Sequence, residues 1–279
     1  MSNEVVGIVG FGHLGKALYR GLLTAGYKVL INNGSLERTQ QKISEAGINE
    51  EAATLSEIAR VCSIIFLCIR HDQLGIVGKE LSDHLTNSHI IISCLAQADS
   101  HEVNSALQSK DTPVAKLMTT LSVQENMGVS AYQLDLHDTA TALQVRNVIQ
   151  AVSAANCALR LDTEEEMRVF TVAVGCFPGI IAYILEQLAA SVKQRGGVSF
   201  KQYDQLFATL LRATATLIEH AGSTAHLIPI IATEGGVTKE MLGSLAASKI
   251  DEIMDQSVQA GLYTMYKLKN KGKHDSNIR

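Results

Sequence analysis

The chain has 279 residues, 46% of them hydrophobic, enough for a sizeable core and too many for a disordered segment. Its net charge of −4 argues against a dedicated nucleic-acid binder, which needs clustered Lys and Arg to neutralise phosphates. Five cysteines without CxxC spacing, and a start that runs from Met1 almost directly into VVGIVG, read as a reduced, cytoplasmic protein without a secretory leader. Continuous apolar runs fall short of the roughly 20 residues that span a bilayer, so no membrane segment is expected.

Short apolar runs alternate with amphipathic segments through the first half. Strands are expected at Val5–Gly10, Lys28–Asn32, Ser63–Ile69, His89–Cys94 and Val114–Met118. Helices are expected between them at His13–Ala25, Leu36–Ala46, Leu55–Val61 and Gln73–Leu85. Strands of near-continuous Val, Ile and Leu are buried on both faces, which predicts an α/β fold with a Rossmann-type doubly wound parallel sheet. Cys157–Leu161 is the last strand expected.

Beyond it the texture changes. Thr163-Glu164-Glu165-Glu166 has the form of a capping box, and nearly all the chain after it has helical period. Gly179–Val192 is apolar or small nearly all round, so it needs cover that a few helices supply poorly. A homodimer or higher homo-oligomer through an all-α second domain is the expectation. In the final helix, Ile250, Ile253, Met254, Val258, Leu262 and Met265 fall on one stripe. The domains are read as 1–162, dinucleotide-binding, and 163–269, helical. A polar tail, 270–279, completes the chain, with Lys267, Lys269, Lys271 and Lys273 as a solvated charge cluster at that end.

Gly10-Phe11-Gly12-His13-Leu14-Gly15 follows the first strand and opens the first helix, the context in which GxGxxG holds a dinucleotide pyrophosphate. Gly10 permits the turn, Gly12 lets backbone approach the phosphates, and Gly15 lets the helix pack on the strand; His13 and Leu14 stand at the helix end that faces the anion. NAD enzymes place Asp or Glu at the end of the second strand, about 20 residues on. This chain has Asn32, Asn33 and Ser35 there, with Arg38 close by and no carboxylate to repel a 2′-phosphate. NADP is therefore the expected cofactor, with NAD as the alternative.

Late in the chain, Thr233-Glu234-Gly235-Gly236-Val237-Thr238 interrupts a helical pattern. Its glycines suit a turn that caps helices, with Thr238 as N-cap of the next one. They also suit an anion, because such a turn exposes successive amides beside a helix N-terminus. Capping does not exclude binding. Pro178 fits the first turn of a helix. Cys176 has no His or Lys near it in sequence, which favours a packed thiol. The nine histidines lack ligand spacing, so no metal site is expected.

These stretches together resemble the pyrroline-5-carboxylate reductase family over essentially the whole chain. The resemblance rests on GIVGFGHLG, IIFLCIR, KLMTTLSVQENMGVSAY, VGCFPGIIAYILEQLAASV and IIATEGGVTKEM. Gly235, Gly236 and Thr238 match the family's Ser-Pro-Gly-Gly-(Thr/Ala)-Thr loop. The resemblance implies NADPH-dependent hydride transfer to the C=N carbon of a cyclic imine, pyrroline-5-carboxylate or a close relative, giving proline. It implies a site where the helical domain meets the nicotinamide. Thr238 would set a hydroxyl by the imine nitrogen. Thr233, Gly235, Gly236, Val237, Cys176 and Pro178 would bind substrate. Ile69 and Arg70, at the end of IIFLCIR, would join the cofactor site. A protonated imine is already electrophilic, so no His–Asp or Lys acid is required beyond orientation and desolvation.

The chain departs from the family at named places. Glu234 stands where proline is usual, and a carboxylate beside an anion-binding turn calls for a partner or an outward direction. Leu117-Met118-Thr119-Thr120-Leu121-Ser122 replaces Val-Met-Pro-Asn-Thr-Pro. Val174-Gly175-Cys176-Phe177-Pro178-Gly179-Ile180 replaces Ser-Gly-Ser-Gly-Pro-Ala-Tyr, with Phe177 at a glycine position. These changes set a second reading, a non-catalytic dinucleotide-binding homologue acting as sensor or interaction partner. A β-hydroxyacid dehydrogenase ranks third, because Thr171–Ala190 contains no lysine.

Overall fold

A computed structural model gives the fold and describes residues 4–109, 111–134, 139–196 and 200–276. The chain forms two compact units, residues 1–175 with 262–279, and residues 176–261.

The first unit runs β1 Val5–Val9, α1 His13–Thr24, β2 Lys28–Asn32, α2 Leu36–Glu45, α3 Leu55–Val61, β3 Ile64–Leu67, α4 Leu74–Ser82, β4 Ile90–Ser93 and α5 Ser100–Ala106. It continues with β5 Val114–Thr119, β6 Gly128–Leu134, α6 Thr139–Val152, β7 Ser153–Arg160 and α7 Glu164–Phe170. The strands form one sheet in the order β2-β1-β3-β4-β5-β6-β7. Adjacent strands are parallel except β5 and β6, with Leu117 opposite Tyr132. The doubly wound, parallel-dominated sheet expected from sequence is present, with β5 and β6 as its antiparallel pair. Only a short turn separates Thr119 from Gly128, and a parallel return needs a crossover of roughly a dozen residues. Strand β7 also starts earlier than expected, at Ser153.

Alternation along the strands divides the core between two faces. Phe66, Ile64, Ile8 and Ile92 face Leu18 and Leu22 of α1 and Val145 and Ile149 of α6. Ile65, Leu67 and Ile91 face Ile58 of α3, Leu74 and Leu81 of α4 and Val103 of α5. Burying each such side chain is worth about 1.5–3 kcal/mol, and the two layers hold the strand ends in place. The chain turns from β1 to β2 on one side and to β3 on the other, so a crevice opens at the carboxyl ends of these strands, the usual place for a ligand.

Thr163 and Glu166 make the expected reciprocal capping box at the start of α7. A π-helical stretch, Thr171–Gly175, comes next. The second unit holds α8 Phe177–Lys193, α9 Phe200–Ala221, α10 Thr224–Ile231, α11 Val237–Ala247 and the first part of α12 Ile250–Ser276. Helix α12 extends to Ser276, through most of the stretch expected from sequence to be a polar tail; residues 277–279 lie outside the described ones. Among the described residues only Ala189 and Leu227 of this unit are buried. Glu164–Lys193 forms one helical run whose length and composition would allow a bilayer crossing, and only 6% of its most apolar window is buried. No uninterrupted apolar run of that length stands in the sequence. This helical run qualifies because small residues and a few polar ones dilute it without removing its apolar character.

Candidate functional site: two glycine turns that open helices

The first turn leaves β1 at Gly10, whose φ is +98° and whose amide donates to the Asn32 carbonyl at 2.8 Å. A Cβ at Gly10 would lie 2.4 Å from the Cys68 carbonyl oxygen, and one at Gly15 would lie 2.1 Å from the Gly10 carbonyl oxygen. Both glycines are demanded by the protein's own backbone. Gly12 differs: an added Cβ there meets nothing within 4 Å. The space it leaves is open, as a ligand's approach to the backbone requires. Gly12 is also the N-cap of α1, with no side chain capping the helix and no acidic residue in its first turn. His13 and Leu14 begin that helix. Lys16 holds its ammonium 6.0 Å from the centre of the Phe11 ring, and Phe11 meets Tyr19 edge to face at 5.9 Å. Burial and then Glu50 push the Tyr19 phenol up to about 12, so this support stays neutral.

The end of β2 carries no carboxylate. Asn32 turns inward: its amide nitrogen donates to the Ala53 and Gly34 carbonyls and its oxygen accepts from the Gly34 amide. That use shapes the loop and leaves its outer surface to other residues. Asn33 Oδ1 accepts from the Phe11 amide at 2.9 Å, tying the two loops together and leaving its own side-chain amide as donor. Ser35 caps α2 by accepting from the Arg38 amide, and Arg38 is exposed beside it. Thr39, which sequence reasoning missed, accepts from the Asn33 amide and donates to the Ser35 carbonyl. A buried threonine one turn inside a helix carries no separate signal in a single sequence. Just past the end of the neighbouring strand β3, Ile69 is half-buried and Arg70 exposed.

At the end of β5, Thr119 bonds Ser130 at 2.7 Å, and Thr120 bonds Ser122 at 2.7 Å while accepting from the Val129 amide. Ser122 donates to the Met127 carbonyl. These hydroxyls close the turn into β6. Asn126, at φ +53°, donates to the carbonyls of Gly21 and Ala151 and so pins that turn to α1 and α6.

The second turn lies in the other unit. The Gly236 amide donates to the Thr233 carbonyl at 3.0 Å, and Gly235 takes φ +71°, a value that favours glycine. Gly236, not Thr238, is the N-cap of α11, because the turn already delivers extended backbone there; Thr238 lies inside the first helical turn. Among the described residues the first α11 amides bonded within the fold are those of Lys239 and Glu240, both to the Gly236 carbonyl, and no backbone or side-chain group caps the end at Val237 and Thr238. Thr233, Val237 and Thr238 are exposed. Glu234 points outward, with its side chain 88% exposed, and pairs with Lys239. This supplies the partner that the sequence called for. Cys176 is the exposed N-cap of α8, Pro178 sits in its first turn as expected, and Phe177 is 55% exposed. Among the described residues no cluster of three or more His, Cys, Asp or Glu could hold a metal.

Comparison with known proteins matches an early and a late stretch of the chain to different family models. Residues 5–97 match the family model described as NADP oxidoreductase, coenzyme F420-dependent, and residues 164–267 match pyrroline-5-carboxylate reductase dimerisation. A pyrroline-5-carboxylate reductase of Methanobrevibacter smithii is 23% identical over 86% of this chain and 96% of its own. One from Treponema pallidum is 26% identical over 92% and 98%. A crystal structure of Plasmodium falciparum pyrroline carboxylate reductase with NADP bound superposes with a TM-score of 0.82 at 19% identity, covering 96% of this chain and 99% of that one. A dinucleotide turn, a matching helical region with its Gly-Gly loop, and relatives spanning the full length all support the pyrroline-5-carboxylate reductase family for this chain.

Proposed function

We propose that the protein is an NADPH-dependent reductase of pyrroline-5-carboxylate or a closely related cyclic imine, forming proline or its analogue. The observation that carries this reading is the uncapped start of α11 behind Gly235-Gly236, which suits an anion, with the exposed Thr238 hydroxyl beside it to face the atom next to the reacting carbon. Its relatives' shared name and the dimerisation-region match support the same reaction.

The residues of the first unit fit NADP. The α1 amides and the open surface of Gly12 suit the pyrophosphate, and His13, Leu14 and Lys16 border it. Asn33, Ser35 and Arg38 suit a 2′-phosphate where no carboxylate stands, with Ile69 and Arg70 on the next strand end. When bound, the reduced nicotinamide supplies the hydride. In the second unit the amides of Val237 and Thr238 hold the substrate carboxylate, and the Gly236 amide is spent on the turn. The Thr238 hydroxyl accepts from the protonated imine N–H, orienting the C=N carbon. The reaction consumes one hydride and one proton and leaves a secondary amine.

Homo-oligomerisation is suggested by the dimerisation-region match. We place it on the second unit, where Tyr183, Ile184, Leu188 and Val192 of α8 and Leu206 and Leu210 of α9 are exposed. Apolar surface of that extent marks an interface.

The test is NADPH oxidation by purified protein supplied with pyrroline-5-carboxylate, with proline measured as product. Absence of turnover across pH and imine substrates, alongside tight NADPH binding, would replace this reading with a dinucleotide-binding homologue. The internal use of the Thr119, Thr120 and Ser122 hydroxyls is the observation that favours that second reading.

A further inference from the structure

The carboxyl ends of β3 and β4 carry two cysteines in one register. Leu67 pairs with Ser93, and the Cys94 amide donates to the Leu67 carbonyl at 3.0 Å, so Cys68 and Cys94 are the next neighbours across the two strands. Phe66 and Ile92, two positions back and paired with each other, face α1 and α6, and both cysteines pack against that same cluster. Side chains two apart share a face, so the two thiols lie on the same face of neighbouring strands. Adjacent strands run about 4.7–4.9 Å apart, inside the roughly 4.4–6.8 Å that a disulfide accepts between Cα atoms. Both cysteines are free and half-buried.

The other three cysteines are placed differently. Cys62 is buried, and burial pushes its thiol up to about 12. Cys157 lies on β7, and Cys176 is exposed in the second unit.

We propose that Cys68 and Cys94 form a dithiol modification site that hydrogen peroxide converts to an intramolecular disulfide. The neighbouring Cys68 side chain, and then burial, push the Cys94 thiol well above its ordinary value, which suits Cys94 to the resolving role; in this scheme Cys68 makes the first attack. The Cys68 sulfur attacks a peroxide oxygen; the O–O bond breaks, the departing hydroxide takes the Cys68 thiol proton, and a sulfenic acid and one water are left. The Cys94 sulfur then displaces hydroxide from the Cys68 sulfur, forming the S–S bond, and its thiol proton leaves with the hydroxide as a second water. Two thiols lose two electrons and two protons, and the peroxide is reduced to two waters. The new bond ties the β3 and β4 ends beside Gly10, whose Cα sits against the Cys68 carbonyl.

The experiment needs no nucleotide or substrate, so its outcome is independent of the proposed activity. Full-length protein is treated with hydrogen peroxide under native conditions, alkylated, and mapped by peptide mass spectrometry. A Cys68–Cys94 linked peptide, loss of two of the five thiols, and a Tm raised by roughly 5 °C are expected, all reversed by dithiothreitol. In C94S, Cys68 should proceed to sulfinic acid with no link and no rise in Tm. Sulfinic acid at Cys68 in the unmutated chain, links through Cys176 between copies, or oxidation that spares both residues would each overturn the proposal. The wild-type map decides even where a variant folds poorly.

Discussion

The two glycine turns look alike in sequence, yet the protein holds them by opposite means. The turn at Gly10–Gly15 is built against a closed core. Cβ atoms at Gly10 and Gly15 would strike backbone, and Phe11 and Leu18 beside them are fully buried. The turn at Thr233–Thr238 has exposed neighbours, and its glycines are set by φ at Gly235 and by a looser fit at Gly236, where an added Cβ would lie 2.9 Å from the Thr233 hydroxyl. The first turn is therefore shaped by the fold whether or not a ligand is bound. The second is shaped locally, and its surroundings await what covers this unit.

The largest effect should come from breaking the first turn. In G15A the added carbon meets the Gly10 carbonyl, and helix α1 cannot retreat without opening the core around Leu18 and Leu22. A loss of about 3 kcal/mol or more, or failure to fold, is expected. Thermal unfolding checks it; an unchanged Tm would show that the helix can shift.

Much of this turn was legible in sequence because one local pattern carried both structure and chemistry. The strands beside it were equally plain: VVGIV, IIFL and III are apolar runs that only a covered sheet can use. Strand β6, GVSAYQL, was not, because Ser130 and Gln133 break the run and are buried in pairing and hydroxyl bonds. Asn32 shows the same limit at the site. Its residue type suggested a phosphate donor, while its three bonds to Gly34 and Ala53 make it a loop brace. The Glu234–Lys239 pair was hidden because the turn brings together residues whose spacing fits no helical rule.

The next effects separate binding from stability. T238A removes an exposed hydroxyl from inside the first turn of α11, so Tm should hold within about 2 °C while kcat/KM falls about 100-fold, near the scale of one lost charge-stabilising contact. A fall carried wholly by KM would move Thr238 from orienting the imine to simple binding. G12A sharpens the contrast within the first turn. Its Cβ has open space in the protein, so Tm should barely change, whereas NADPH affinity should drop about tenfold because the new carbon occupies the pyrophosphate's approach. Equal losses in G12A and G15A would mean that Gly12 too serves the fold.

The smallest effect tests how the second turn tolerates a carboxylate. Glu234 and Lys239 are exposed, and an exposed pair contributes roughly 0–1 kcal/mol to stability, so neither single variant should move Tm appreciably. Their charges act instead on an anionic substrate at the α11 end. K239A leaves Glu234 uncompensated and should raise KM for the imine carboxylate about threefold, about 0.65 kcal/mol by the usual tenfold-per-1.4 conversion. E234Q should lower KM slightly, and the double variant should return close to wild type. The K239A effect should fade at high salt, since the charges lie in water and are screened within about 10 Å at 0.1 M ionic strength. If K239A raised KM equally in the E234Q background, Lys239 would be touching the substrate itself, and the turn would hold its anion with a side chain as well as with backbone.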